Sequence, residues 1–540
     1  MIREEIKKNI LIAIEKIGIK NIPSFVIDPP ENPNHGDYAT NVALLLARQL
    51  NKSPRDVAQE LVARLQKSIF KKVDVAGPGF INMWLDDHVF ENNLQEIIKK
   101  KDAFGRAKKR KEKIQVEFIS ANPTGPLTLA NGRGGFWGDV LSRALEYQGY
   151  SVEREYYIND SGNQVITLGH SVMAAGGYET WQEGFYKGPH IDEWAQKNKT
   201  FLKKHSTSPE KVGKAVARDF LKKFIHPAVE KKMKIRFDRW TSEEAIKKKY
   251  LGTIQLLLKK RGLVYQKEGA VWLKTTEFGD DKDRVIITSD GFPTYFFLDA
   301  AHYLDTKKRG FVGKINILGA DHHGYVSRIQ AMAKIVGLEK SYVLVMQLVH
   351  LFSEGKEVRM SKRKGNFITI DELIDEVGLD PVRYFFLEKS PDTHVDFDME
   401  LAKEHSAKNP VYYIQYAHAR MSSILLKTKN QKPLPSRQVG KTKNQKKIVR
   451  LLSSVEEREL LKKLLQFQEV IEDTAHDYHV HRLPRFALNL ARAFHDFYEK
   501  HRVISEDSDL TAARVSLITA TSLILRSTLS LLGISAPKKM

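Results

Sequence analysis

Apolar positions recur at helical spacing over 2–17, 41–50 and 56–65. They alternate over 72–85 on either side of Gly77-Pro78-Gly79. The two periods predict a small α+β domain over 1–100, closed by a helix at 87–101. Beyond it, short apolar strands alternate with helices. A strand is predicted at 114–119, then a glycine-rich bend opening a helix at 138–146, then a strand at 151–158. Strand, helix, strand of these lengths is a βαβ unit with parallel strands. Charged, mostly helical sequence over about 165–285 reads as an insertion in that domain. The sheet is expected to resume at 284–287, 314–319 and 342–345, with helices at 295–304 and 325–336. From 371 to 540 the pattern is helical throughout. The segment 510–532 is apolar on more than one face, which predicts the central helix of a bundle.

This order places three loops, 120–135, 319–325 and 353–366, at the carboxyl ends of parallel strands, where open α/β sheets bind ligands. The first joins a strand to a helix, and free N–H groups with the helix dipole suit phosphate there. The third carries Arg359, Lys362, Arg363, Lys364 and Gly365. Two such loops can hold a triphosphate between them.

Composition narrows the class. With 540 residues, several domains are expected. There is no cysteine, which excludes disulfides, thiolate zinc sites and a cysteine nucleophile, and fits a cytoplasmic protein. No run of eighteen apolar residues and no signal-peptide core are present, so neither a membrane span nor a membrane partner is expected. The balance of 87 basic to 66 acidic residues, a net +21, favours a polyanionic partner such as nucleic acid. The adjacent His322-His323 lacks a carboxylate–histidine spacing, so no metal site is expected there.

Long strings of this chain resemble class I aminoacyl-tRNA synthetases, specifically the arginyl family. They are 117–127 (EFISANPTGPL), 155–160 (EYYIND), 319–325 (GADHHGY), 360–366 (MSKRKGN), 409–420 (NPVYYIQYAHAR) and the ending 532–540. The resemblance implies a Rossmann-like parallel-sheet catalytic domain over 101–370, with the helical insertion, flanked by an α+β tRNA-binding domain (1–100) and an all-α anticodon-binding bundle (371–540). It implies ATP-dependent ligation of L-arginine to tRNA through an arginyl-adenylate, with magnesium accompanying ATP and no zinc. A monomer is expected.

One departure stands out. The family's His-x-Gly-His signature reads Thr128-Leu129-Ala130-Asn131 here. Thr128 and Asn131 can donate hydrogen bonds but carry no charge. Each exchange is expected to weaken transition-state binding by about 1–2 kcal/mol. Arg133 is close enough in sequence to offer compensating charge. The second signature is Arg359-Met360-Ser361-Lys362-Arg363, which keeps its cations. By resemblance, Lys362 assisted by Arg359 stabilises the phosphates. Thr128, Ala130, Asn131, Gly132, Asp321, His322, Gly324, Met360, Ser361 and Lys362 line the ATP site.

Arginine needs a carboxylate facing its guanidinium fork. Asp299 lies one turn after Tyr295 on the same helix face. The resemblance implies that these two line the guanidinium pocket, with Glu243 as a further carboxylate, while Glu117, Ser120 and Asn122 hold the amino acid's polar end. For tRNA, His35, Tyr38, Phe80 and Asn82 in the first domain, and Tyr412, Tyr416, His418 and Arg420 in the bundle, could stack on or bond to bases. Core packing remains the other reading of these aromatics. A competing function is a catalytically silent tRNA-binding paralogue that lost its histidines. The kept pocket residues weigh against it.

Overall fold

The computed structural model describes residues 1–338, 340–358, 368–430 and 448–540. At its centre is a parallel sheet of five strands: β1 (Lys113–Glu117), β2 (Ser151–Ile158), β3 (Arg239–Ser242), β4 (Gly313–Gly319) and β5 (Lys340–Met346). The spatial order is β5-β4-β1-β2-β3. The chain runs from β1 outward to β3, then returns to lay β4 and β5 on the other side. The order therefore reverses between β1 and β4, and a crevice opens at their carboxyl ends. The helices Leu129–Tyr147, Tyr295–Lys308 and Val326–Val336 cover the sheet.

Four expectations are corrected. The span after 371 is not helical throughout, because Val395–Asp398 is a strand that pairs in parallel with Val349–Ser353. The span 165–285 is not one insertion, because Arg239–Ser242 within it is an edge strand of the central sheet. Four residues are too few to show a period. Conversely, Arg284–Ile287 does not resume that sheet. It pairs antiparallel with Ala270–Leu273 in a separate sheet that includes Val264–Lys267. Finally, the helix after β1 starts at Leu129, not at 138. Gly132, Gly134, Gly135 and Gly138 lie inside it and serve packing. A Cβ on Gly138 would sit 2.2 Å from the Phe118 ring, and one on Gly132 would sit 2.5 Å from Ile370.

The N-terminal domain carries a four-stranded sheet under the helices Ile2–Glu15, Val42–Leu50 and Pro54–Arg64. The C-terminal helices Pro410–Asn430, Val455–Asp477 and Arg482–Lys500 surround Ser508–Leu532. By length and composition alone that last helix could cross a membrane. Its packing against these three helices makes it the bundle's core instead, as its all-round apolar pattern predicts.

Buried polar contacts tie the domains together. Arg383 donates to Asp139 Oδ2 (2.9 Å), to the Leu532 carbonyl (3.1 Å) and to the Met233 carbonyl (2.8 Å). The Tyr38 hydroxyl donates to Glu469 Oε1 at 2.9 Å, between the first domain and the bundle.

Candidate active site

Parallel strands covered on both faces normally read as apolar runs. Here β1, β2 and β4 carry Glu117, Glu155, Lys314 and Asn316, all buried. The Lys314 ammonium lies 2.9 Å from Glu117 Oε2 and 3.5 Å from Glu155 Oε2. His302, from the Tyr295–Lys308 helix, has Nε2 2.8 Å from Glu155 Oε2. Asn316 donates to Glu117 Oε2 at 2.7 Å. Burial opposes the charge on Glu155, but His302 and Lys314 outweigh it and hold the carboxyl well below the usual range. Glu117, Glu155 and His302 have the spacing of a metal site. The ammonium already occupies the cation's place there. These residues pair among themselves and fix Glu117 at the mouth of the crevice.

The chain leaves β1 in a strained turn. Ile119 (φ 67°) and Ser120 (φ 36°) are both left-handed, which costs roughly 1–3 kcal/mol per residue. Side chains of β2 and the turn after it hold this conformation. The Tyr156 hydroxyl donates to the Ala121 carbonyl (3.0 Å) and Asn159 donates to the Ser120 carbonyl (3.1 Å). Ser120 Oγ donates to Glu117 Oε1 (3.2 Å) and accepts from the Tyr157 N–H (3.1 Å). The structure thus brings Glu117 and Ser120 together, with Asn122 two residues on and half-buried.

Behind this turn the acids are in excess. Asp299 has neither a hydrogen bond nor an ion pair among the described residues. Burial, then Glu117 and Glu243, push its carboxyl up to about 7, with Lys314 opposing. Glu243 is buried and bonded to the Ser161 hydroxyl, and burial raises it as well. Tyr157 stacks on His302 with ring centroids 4.2 Å apart. Among the described residues its buried hydroxyl has no partner, and it feels Glu243, Asp299, Glu117 and Glu155. Tyr295 is 47% exposed, and its hydroxyl lies over Gly162, beside Ser161. Tyr295, Glu243 and the Asp160–Gly162 turn therefore converge. Unpaired carboxylate, buried phenol and exposed phenol together suit a planar cation with several donors.

The loop expected to meet the nucleotide is different in kind. Thr128 precedes the Leu129–Tyr147 helix, and Asn131 is its third residue. Asn131 Oδ1 accepts from the Thr128 N–H (3.0 Å) and from its hydroxyl (2.9 Å). The Thr128 proton is thus engaged with Asn131. Ala130 is exposed on the first turn. Gly132 is buried, and its N–H bonds to the Thr128 carbonyl, so it presents no free donor. Arg133 does not compensate for lost charge. It is fully buried and reaches away from the loop to the Gln347 (2.6 Å) and Ser390 (2.8 Å) carbonyls. Burial lowers its pKa to about 10. Asp321, His322 and Gly324 lie exposed on the turn that ends β4. Arg359, Met360, Ser361 and Lys362 fall outside the described residues.

The RNA candidates divide. His35 and Phe80 are exposed. Tyr38 and Asn82 are not: they are 2% and 5% exposed. Asn82 sits mid-strand between Ala39 and Asp74, and Tyr38 is spent on Glu469. His418 is buried too, with Nδ1 2.8 Å from the Pro537 carbonyl. It shares the inward stripe of its helix with Val411, Ile414 and Met421. Tyr412, Tyr416 and Arg420, four residues apart, lie on the opposite, accessible face. There the rings of His405, Tyr412, Tyr416 and His495 follow one another at 5.8, 6.3 and 5.9 Å, within 12° of parallel. Arg420 lies over Tyr498, 4.7 Å from its centroid. Sequence reasoning missed His405 and His495 because one comes from the loop before the Pro410–Asn430 helix and the other from the helix Arg482–Lys500. It also missed Glu155, Tyr157, His302 and Lys314. Polar residues at interior positions of covered strands were the available signal for those on β2 and β4.

Comparison with known proteins agrees with this geometry. A family model described as tRNA synthetases class I (R), catalytic domain, matches residues 93–425. The fold and crevice are those of a class I synthetase. The arginyl tRNA synthetase N terminal domain matches 4–85, and the DALR anticodon binding domain matches 414–540. The arginine–tRNA ligase of Staphylococcus aureus strain JH9 is 38% identical over 561 residues, covering 100% of this chain and 99% of the relative. The chain belongs to the arginyl-tRNA synthetase family, enzymes that attach arginine to tRNA. Its fold is also that of the arginyl-tRNA synthetase from Thermus thermophilus (TM-score 0.80, 22% identity, all of both chains). The synthetase from Plasmodium falciparum gives a TM-score of 0.78 at 16% identity, over 100% of this chain and 99% of that one.

Proposed function

We propose that this chain charges tRNA with L-arginine through an arginyl-adenylate, and that its altered signature sustains the chemistry. The observation that carries the reading is Asp299, a carboxylate with no partner among the described residues. A guanidinium beside it would replace the missing counter-charge and draw its pKa back down. Tyr295 and Glu243 complete that pocket, and Glu117, Ser120 and Asn122 hold the amino acid's polar end.

The carboxylate of arginine attacks the α-phosphate of magnesium-bound ATP in line, and pyrophosphate leaves. The 2′-hydroxyl of the tRNA end then attacks the adenylate carbonyl, gives up its proton, and AMP leaves as the mixed anhydride breaks. No side-chain nucleophile is needed, so catalysis is positioning plus charge stabilisation. Asp321, His322 and Gly324 meet adenosine. Lys362 and Arg359 meet the leaving phosphates, with Met360 and Ser361 between them. Asn131 keeps its amide N–H groups available at the helix start. His35 and Phe80 in the first domain, and Tyr412, Tyr416 and Arg420 in the bundle, bind tRNA, the stacked rings offering faces to unpaired bases. We place the enzyme in the cytoplasm as a monomer, with domains at 1–100, 101–370 and 371–540.

Incubation with labelled arginine, ATP and tRNA tests this. Acid-precipitable arginyl-tRNA is expected. Retained tRNA binding without product would favour the silent tRNA-binding reading instead.

A further inference from the structure

We propose that Thr369 and Glu372 are positioning residues for the nucleotide loop, acting through Thr128. The proposal rests on reading 120–131 as part of the ATP site.

Thr128 and Thr369, far apart in sequence, form an antiparallel bridge. Next to it, the Ile370 N–H donates to the Leu127 carbonyl at 3.1 Å. Each threonine precedes a helix: Leu129–Tyr147 and Ile370–Val377. Each is gripped by the third residue of its own helix. Asn131 Oδ1 takes both donors of Thr128 at 3.0 and 2.9 Å. Glu372 Oε2 takes both donors of Thr369 at 2.7 and 2.9 Å, and the Glu372 N–H returns a bond to Thr369 Oγ1 at 3.1 Å. Glu372 and Thr369 thus form a reciprocal capping box. The side chain of Ile370 lies against Gly132, where a Cβ would come within 2.5 Å of it. The start of one helix therefore cannot shift without moving the other.

The consequence is specific to this chain. Where the family signature carries two histidines, Thr128 and Asn131 bond to each other. Less charge reaches the phosphates directly, so placement of the turn matters more. A misplacement of about 1 Å can cost a hundredfold in rate. Glu372 sits on the far side of the bridge, exposed, and among the described residues its side chain bonds to Thr369 and not to Thr128, Asn131 or the acidic pocket.

Glu372→Ala and Glu372→Gln separate this role from simple stability, because glutamine can still accept the Thr369 bonds. Arginine-dependent ATP–pyrophosphate exchange, run with tRNA present, reads the loop. Glu372→Ala is expected to lower kcat about tenfold with the KM for arginine unchanged, and Glu372→Gln to stay within about twofold of the parent. In an Asn131→Ala background, where the turn is already released, Glu372→Ala should cost clearly less. An unchanged kcat in Glu372→Ala overturns the proposal. So does a loss shared equally by both variants that follows their melting temperatures, or full additivity with Asn131→Ala. If the parent chain catalyses no exchange, it is the ATP-site reading that fails.

Discussion

The two halves of the crevice solve different problems. The acidic half is built from buried ionisable groups: Glu117, Glu155, Lys314 and His302 hold one another, and Asp299 and Glu243 remain in surplus. The loop proposed to meet the nucleotide offers only neutral side chains at its helix start. There Thr128 and Asn131 cap a helix, and the nearest arginine in sequence, Arg133, points elsewhere. Selecting arginine requires a fixed counter-charge, because a buried carboxylate discriminates a guanidinium from neutral side chains. Holding a phosphate chain can be shared among backbone groups and cations brought by another loop. The difference explains how the chain can alter one signature and keep the other half intact.

The contrast can be broken most severely at Lys314. Lys314→Met leaves Glu117 and Glu155 buried without their ammonium, so a loss of roughly 3–5 kcal/mol is expected in denaturant unfolding. A loss below about 1 kcal/mol would mean that the cluster is not an ionic unit. Next comes Asp299→Ala, which should raise the KM for arginine on the order of a hundredfold, equivalent to roughly 2–3 kcal/mol, and leave the KM for ATP unchanged. An equal rise in both constants would remove Asp299 from the guanidinium pocket. The smallest effect belongs to the neutral half. Asn131→Ala removes a helix cap, which should cost about 1 kcal/mol of stability, and releases the Thr128 turn, which should lower kcat about tenfold. A loss of several decades would show that Asn131 carries the charge work of a histidine.

Much of this was legible in the sequence, and what was not has physical reasons. The parallel sheet, the three-region order and the crevice loops follow from period and length. The helix start at Leu129 did not, because four glycines in one stretch suggest a bend. Buried under Phe118, Ile370 and their neighbours, they are instead the condition for close helix packing. Arg239–Ser242 was too short to announce itself as a strand. Tyr38, Asn82 and His418 admit both an RNA-binding and a core reading in the sequence, since a polar tip on an aromatic or amide suits both a base and a buried partner. Only packing distinguishes the two. Asp299 shares a helix face with Tyr295, but it was the family resemblance that pointed to the pair. The lack of a partner at Asp299, the feature that makes it informative, exists only in three dimensions.

Ionisation of Asp299 gives the most direct test. Its carboxyl, pushed up to about 7, must be charged to hold a guanidinium, so bound arginine favours the deprotonated form. The sign follows: affinity for arginine is full above that pKa and falls toward tenfold per unit below it. The measurement is kcat/KM for arginine, and in parallel for ATP at saturating arginine, between about pH 5.5 and 8.5. The account predicts that the arginine profile drops below about pH 7 and that Asp299→Asn flattens it, while the ATP profile shows no matching step. A flat arginine profile in the parent chain, or the same step in both substrates, would contradict the assignment of the charge to the arginine half of the crevice.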